Sequence, residues 1–299
     1  MNFDGILFFP VTPFDPRGRV DLDLLREHVT STMAHRPGGV FPACGTGEFH
    51  ALSAAEVESV VRTTVDAVGG RVPVVAGTGG PLGHATDLAR SAADAGADAL
   101  LVLPPYLVGG PQAGLVAYVE AIAAASALPV VIYHRGTAQY SVDSVRRLAQ
   151  NPKVVGFKDG HGDIGLAQQI VRAVAESGRD DFAFFNGLLT AELTQAGYRG
   201  IGIPLYSSAA FAMIPEVANA YYRAYADGDE PRRLEILDGF YLPLVRLRDE
   251  TPGFGVSLIK AGLRLGGMPV GAVRAPLVDP TPAQEERLAE ILANGRSLL

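Results

Sequence analysis

Residues 154–160 read VVGFKDG, an apolar run that ends in a lysine with a turn directly after it. Lysine is scarce in this chain: Lys153, Lys158 and Lys260 are the only three among 25 basic residues. A lysine in a desolvated pocket is hard to keep charged, so its pKa falls from about 10.4 towards neutrality. The neutral amine is a nucleophile for a ketone, and the protonated imine that results is an electron sink that acidifies the neighbouring carbon. The competing reading is an ion pair with Asp159 or with another strand-end carboxylate. Imine chemistry also needs a proton shuttle within hydrogen-bond reach. The apolar run just before, LPVVIYH (128–134), supplies Tyr133 near its end, and that tips the balance towards the imine.

Other residues carry weaker chemistry. Cys44 reads as a small buried thiol rather than a nucleophile. Lys153 precedes its strand and reads as solvated. Lys260 falls on a helix later in the chain and reads as a surface or packing residue. Glu48, just ahead of a helix, reads as a structural hydrogen-bond partner before it reads as a general base. Thr78-Gly79-Gly80 reads as a tight turn rather than a phosphate cradle. The six histidines show no HExxH or other ligand spacing, so no metal is expected. His50, His134 and His161 each follow an apolar run and could line one pocket.

These residues need a scaffold that brings run ends together. Apolar runs at 5–10, 39–44, 72–77, 97–105, 128–134, 154–159, 182–187 and 200–206 alternate with helical patterns at 21–35, from 53, 83–95, 113–126, from about 141, 164–177, 188–197 and 209–226. Ser53 with Glu56 three residues on makes a capping box. The runs alternate little in polarity, as expected of parallel strands buried on both faces. Eight βα units predict an α/β fold, the TIM (β/α)8 barrel. The competing doubly wound sheet lacks its GxGxxG turn, since GTGE (45–48) has His50 at the third glycine site. After residue 227 the strands stop, and 229–248, 253–266 and 282–294 read as helices. The expected division is a barrel over 1–227 and a C-terminal helical region over 228–299, packed on the barrel. Barrel chemistry occurs at the C-terminal strand ends. That selects Thr46, Glu48, Tyr106, Tyr133, Lys158, Asn186, Ser207 and Ser208.

Composition bounds the function. Hydrophobic residues make up 48% and charged residues 19% of the 299, enough for a large core and little disorder. A net charge of −7, with no basic stripe, argues against nucleic acid as partner. No stretch of about 18 apolar residues predicts a membrane span. The first residues, MNFDGILFFPVTPFD, lack a basic segment before a short apolar run, so no signal peptide is expected. A single cysteine suits a reducing compartment, and the expected location is cytoplasmic.

GTGEFHALSAAE (45–56), LPPYL (103–107), Tyr133 and GFKDGHGD (156–163), in this order and spacing, resemble the dihydrodipicolinate synthase / N-acetylneuraminate lyase superfamily. The resemblance runs from FPVTPFD (9–15) to the final helix. FKDGHGDI (157–164), PLYSSAAFAMIP (204–215) and GFGVSLIKAG (253–262) look most like the branch that dehydrates and decarboxylates 5-dehydro-4-deoxyglucarate. The resemblance implies that Lys158 forms a Schiff base and Tyr133 shuttles protons. It implies that Thr46 helps to bind a substrate carboxylate, and that Tyr106 is lent across an interface in a homo-oligomer. It also implies that no cofactor is needed, because the imine carries the charge. Gly45 departs from the superfamily's usual threonine and removes a hydroxyl from the relay with Tyr133. Ala138 stands where synthases carry arginine, which argues against synthase activity. His134 stands where the dehydratases have asparagine.

The implied substrate is a small sugar diacid, so each carboxylate needs a partner. Turn amides and a hydroxyl at Thr46 and Gly47 can face one of them. Arg135 is the cation nearest in sequence to Tyr133 and is expected to grip the other. The alternatives are a structural ion pair for Arg135, with Ser207, Ser208 or His134 taking the carboxylate. A different aldolase or lyase acting on another 2-keto acid, and a non-catalytic small-molecule binder, stay open as readings. The binder is disfavoured because Lys158 and Tyr133 are both present.

Overall fold

The computed structural model describes residues 3–299. Its strands are short apolar runs ended by glycine, proline or a polar residue, and each leads into a helix. β1 (Leu7–Phe8) leads to α1 (Leu22–Met33), and β2 (Gly39–Val40) to α2 (Ala54–Val68). β3 (Val75–Thr78) is followed by α3 (Leu82–Asp94), and β4 (Ala99–Val102) by α4 (Gln112–Ala125). β5 (Val130–His134) precedes α5 (Val142–Ala149), and β6 (Val154–Asp159) precedes α6 (Ile164–Glu176). β7 (Ala183–Asn186), α7 (Gln195–Gly200), β8 (Leu205–Ser208) and α8 (Pro215–Asp227) complete the eight units. Ser53 and Glu56 form the reciprocal capping box at the start of α2. It satisfies two backbone donors that the first helical turn leaves without partners.

All strand pairs are parallel, in the order β2-β1-β8-β7-β6-β5-β4-β3. A parallel bridge between Val40 and Val74 joins the two ends, so the sheet closes as a (β/α)8 barrel. The apolar residues divide into two sets. An inner set that includes Leu7, Phe9, Phe41, Leu101, Val131 and Phe185 fills the barrel. A much larger outer set packs the strands against the helices. Neighbouring residues on a strand therefore face different surroundings.

Four helices follow the eighth unit: α9 (Glu230–Ile236), α10 (Leu242–Arg248), α11 (Phe254–Leu265) and α12 (Pro282–Ser297). α9 and α10 are joined by a π-helical turn over Leu237–Tyr241, where the sequence pattern predicts one unbroken helix. Other elements differ from expectation too, and the strands expected over 5–10, 39–44 and 97–105 are trimmed to β1, β2 and β4. The helix expected over 188–197 is a 3₁₀ turn at Ala191–Leu193 followed by the short α7. The eighth strand begins at Leu205, not at 200, because Gly202 adopts φ +92 and Ile203 N–H closes back on Tyr198 O at the end of α7. α8 starts only at Pro215, which needs no N–H partner in a first turn.

Lys260 is no surface residue, and the packing half of its expected reading holds in the form of a buried ion pair. It lies fully buried in α11, with Nζ 2.7 Å from Oε1 of the equally buried Glu48 and 3.0 Å from Ala272 O. Oε2 of Glu48 accepts from the backbone N–H of Arg274 at 2.8 Å. The Arg274 side chain reaches Glu56 and the carbonyls of Gly18 and Ala51. Phe14 lies between the two cations, its ring centre 3.9 Å from Lys260 Nζ and 4.1 Å from Arg274 Cζ. The C-terminal region is thus fastened to the turn after β2 by charge as well as by packing. Lys153 is not simply solvated either. Its Nζ donates to Ala123 O (2.9 Å) and Ser126 O (2.7 Å), the carbonyls left open at the end of α4.

Candidate active site

A cavity of about 1030 Å³ opens at the C-terminal ends of the strands. Lys158 reaches it from β6, buried to 5% exposure. No carboxylate lies within ion-pair distance of Lys158 among the described residues. Its Nζ rests 4.2 Å from the centre of the Tyr133 ring and 4.5 Å from that of Phe9. The ion-pair reading fails because Asp159 turns the other way. Its carboxylate accepts from Tyr198 Oη (2.5 Å) and His161 N–H (2.9 Å), outside the barrel.

Tyr133 and Lys158 are direct partners across the β5–β6 ladder. The phenol donates to Gly187 O at 3.2 Å and accepts from Arg135 Nη1 at 3.0 Å. Burial alone would push the phenol pKa up. The positive charges of Lys158 and Arg135, with their hydrogen bonds, outweigh that and bring it below the ordinary value. Two glycines make room for the pair. A Cβ on Gly187 would meet Lys158 Cε at 2.6 Å, and one on Gly160 would meet Tyr133 Cε2 at 2.6 Å.

Thr46, Tyr106, Arg135 and Ser207 also line the cavity. Thr46 is carried by a turn in which Ala43 and Glu48 both adopt left-handed φ, +50 and +56, conformations that cost non-glycine residues free energy. Tyr106 lies at the rim and is 65% exposed. Arg135 makes no ion pair among the described residues, so the structural-pair alternative for it does not hold.

Four expected residues lie behind the cavity wall. Lys158 pairs with Phe185 in the β6–β7 ladder, so Asn186 pairs with the outward Asp159. The Asn186 amide is spent on Ala191 O, Thr194 Oγ1 and Gln195 Oε1. Ser208 likewise faces out, its hydroxyl donating to Glu192 Oε1 at 2.5 Å. Burial pushes that glutamate up to about 7. His134, next to the inward Tyr133, faces the helices, and its Nδ1 accepts from Tyr140 N–H at 3.0 Å. Gly47 is packed beneath the turn, where a Cβ would lie 3.1 Å from Ala43 N. Of the three histidines expected to share a pocket, only His50 lines it, and His84 joins it from α3. Cys44 is buried, and burial pushes its thiol up to about 12, which suits an inert core residue.

None of the expected site residues belongs to the C-terminal region. Yet Arg248, Thr251, Phe254 and Val256 line the cavity. Arg248 is held by Asp249 and by Thr190 Oγ1 at 2.7 Å. GFGVSLIKAG carried a usable signal, a lysine in a helix with almost no polar face.

Residues 2–294 match the dihydrodipicolinate synthetase family. The chain is 50% identical to a protein of Streptomyces avermitilis named probable 5-dehydro-4-deoxyglucarate dehydratase 2, over 99% of this chain and 88% of that one. It is 38% identical to the probable 5-dehydro-4-deoxyglucarate dehydratase of Acidovorax ebreus, over 96% and 94%. Among solved structures, dihydrodipicolinate synthase from Oceanobacillus iheyensis superposes with a TM-score of 0.90 at 28% identity, covering 99% of this chain and 97% of that one.

Proposed function

The chain belongs to the dihydrodipicolinate synthetase family, and from that premise we propose that it is a Schiff-base lyase that converts 5-dehydro-4-deoxyglucarate to 2,5-dioxopentanoate, carbon dioxide and water. The observation that carries the reading is a buried lysine without a carboxylate partner, set beside a tyrosine on the paired strand. The names of relatives at 50% identity support the choice of substrate.

In this reading the Lys158 amine condenses with the 2-keto group and releases water. The Tyr133 phenolate removes a proton from the adjacent methylene, giving an enamine. The enamine expels the hydroxyl one carbon further on, which leaves as water with the proton from Tyr133. The conjugated iminium accepts the electrons of the far C–C bond as carbon dioxide departs. Tautomerisation and hydrolysis then return Lys158 and release the semialdehyde. Thr46 and Ser207 face the first carboxylate, and the N–H groups of Arg135 not engaged by Tyr133 meet the second. The exposed Tyr106 would be covered by a second copy of the chain.

Incubation with 5-dehydro-4-deoxyglucarate should release carbon dioxide and a five-carbon semialdehyde in equal amounts. Pyruvate with an aldehyde, or no product, would reject the assignment. Within the same scheme, Tyr133→Phe should lower turnover by about 10²–10⁴-fold, the usual contribution of an acid–base group. Trapping of a 2-keto acid on Lys158 should survive, since one hydroxyl is lost from an otherwise unchanged pocket. A variant within a few-fold of the parent would move the shuttle to another group, Ser207 first.

A further inference from the structure

We infer that Arg135 is a positioning residue for the Tyr133 phenol, holding its oxygen as an acceptor so that the proton is lost and regained readily. The inference rests on the reading of Tyr133 as shuttle and adds a task to the carboxylate contact proposed for Arg135. Its basis is geometric. Arg135 Nη1 lies 3.0 Å from the phenol oxygen, and this is the one hydrogen bond its side chain makes among the described residues.

The guanidinium is held in place by its own turn. Arg135 and Ala138 exchange both backbone hydrogen bonds at 3.0 Å, Gly136 turns the chain at φ +56, and Thr137 Oγ1 anchors the turn to Pro105 O. Arginine only donates and does not lose its charge. It therefore favours the phenolate at every step. Lys158, the other cation facing the phenol, becomes a neutral amine during the chemistry and cannot hold the phenol acidic throughout. From β7 the phenol meets only the Gly187 carbonyl, which accepts its proton. From β6 it meets Lys158 and the bare Cα side of Gly160. The cavity's other titratable side chains (His50, His84, Tyr106, Arg248 and Asp249) make no hydrogen bond to it. The downward direction in which Lys158 and Arg135 move the buried phenol from its ordinary pKa agrees with this arrangement.

The test needs no substrate at first. Tyrosinate absorbance is titrated in the free protein, and the Tyr133 component is isolated by difference from Tyr133→Phe. Burial pushes tyrosines such as Tyr118 and Tyr140 up, so Tyr133 titrates ahead of them. In Arg135→Gln the phenolate loses a cationic donor, and its pKa should rise by about 1–2 units. Arg135→Lys should recover part of that shift, and it serves as the test on its own if the Gln variant does not fold. In turnover the acid limb of the kcat profile should move up by the same amount. An unchanged Tyr133 titration in both variants, with only KM for the diacid raised, would overturn the inference and leave Arg135 as a carboxylate contact. Because the titration is read without substrate, it stands apart from any failure of the proposed reaction.

Discussion

Lys158→Ala will abolish turnover, by about 10⁵–10⁶-fold, the order that loss of a nucleophile costs in enzymes that work through one. In the proposed mechanism the loss falls in kcat, because there the imine is the electron sink for both the dehydration and the decarboxylation. Borohydride added with a 2-keto acid should attach the ligand mass to the parent's Lys158 peptide and leave the variant unlabelled. Lys158→Met, which keeps most of the side-chain volume over Phe9 and Tyr133, should be as inactive while melting near the parent. The assignment is lost if labelling persists in Lys158→Ala or maps to Lys260. The second outcome is disfavoured on structural grounds, since Lys260 is sealed against Glu48 and does not line the cavity.

Glu48→Gln will destabilise the protein by about 3–5 kcal/mol, the usual cost of leaving one member of a buried ion pair alone. The glutamine keeps an oxygen for the Arg274 N–H, so the variant isolates the charge. Lys260 would then carry an unpaired ammonium at 0% exposure. Equilibrium denaturation, or unfolding rates if heating is irreversible, will report the loss. The double variant Glu48→Leu with Lys260→Met should recover much of it, because apolar replacement of a buried pair is often neutral or better. Thr46 is two residues from Glu48, so Glu48→Gln should also raise KM at temperatures where it stays folded. A single variant within about 1 kcal/mol of the parent would show that the pair is not an energetic tie.

Much of the fold was legible because buried parallel strands leave a plain signature, a short apolar run with a turn residue at its end. The strand over 154–159 was found residue for residue. The same signature explains what could not be read. VVGFKD is apolar on both faces, so nothing in it tells which way Lys158 and Asp159 point. That choice comes from register across the ladder, a long-range property. Hence Lys158, Tyr133 and Ser207 were selected together with their outward neighbours or near-neighbours His134, Asn186 and Ser208. Arg135 was found as a cation, but its hydrogen bond to the phenol depends on the turn it shares with Ala138. The buried pair of Lys260 was not legible because its partner Glu48 belongs to a distant turn, and Arg248 was missed because no local pattern marks a helix end that returns to the barrel mouth.

The fastening of the turn after β2 has a consequence for how the protein is made. Arg274 N–H and Glu48 are separated by 226 positions in the chain, and Lys260 comes nearly as late. On a ribosome all eight strands emerge before either partner, so a nascent chain could close its barrel while Glu48 is still unmatched. Contacts this distant in sequence form slowly, and partly folded intermediates are typical of chains this long. The turn that presents Thr46, with its two left-handed residues, would be among the last parts to settle. Catalytic competence would then arrive with the final helices, and a product released early would be a barrel without a finished site.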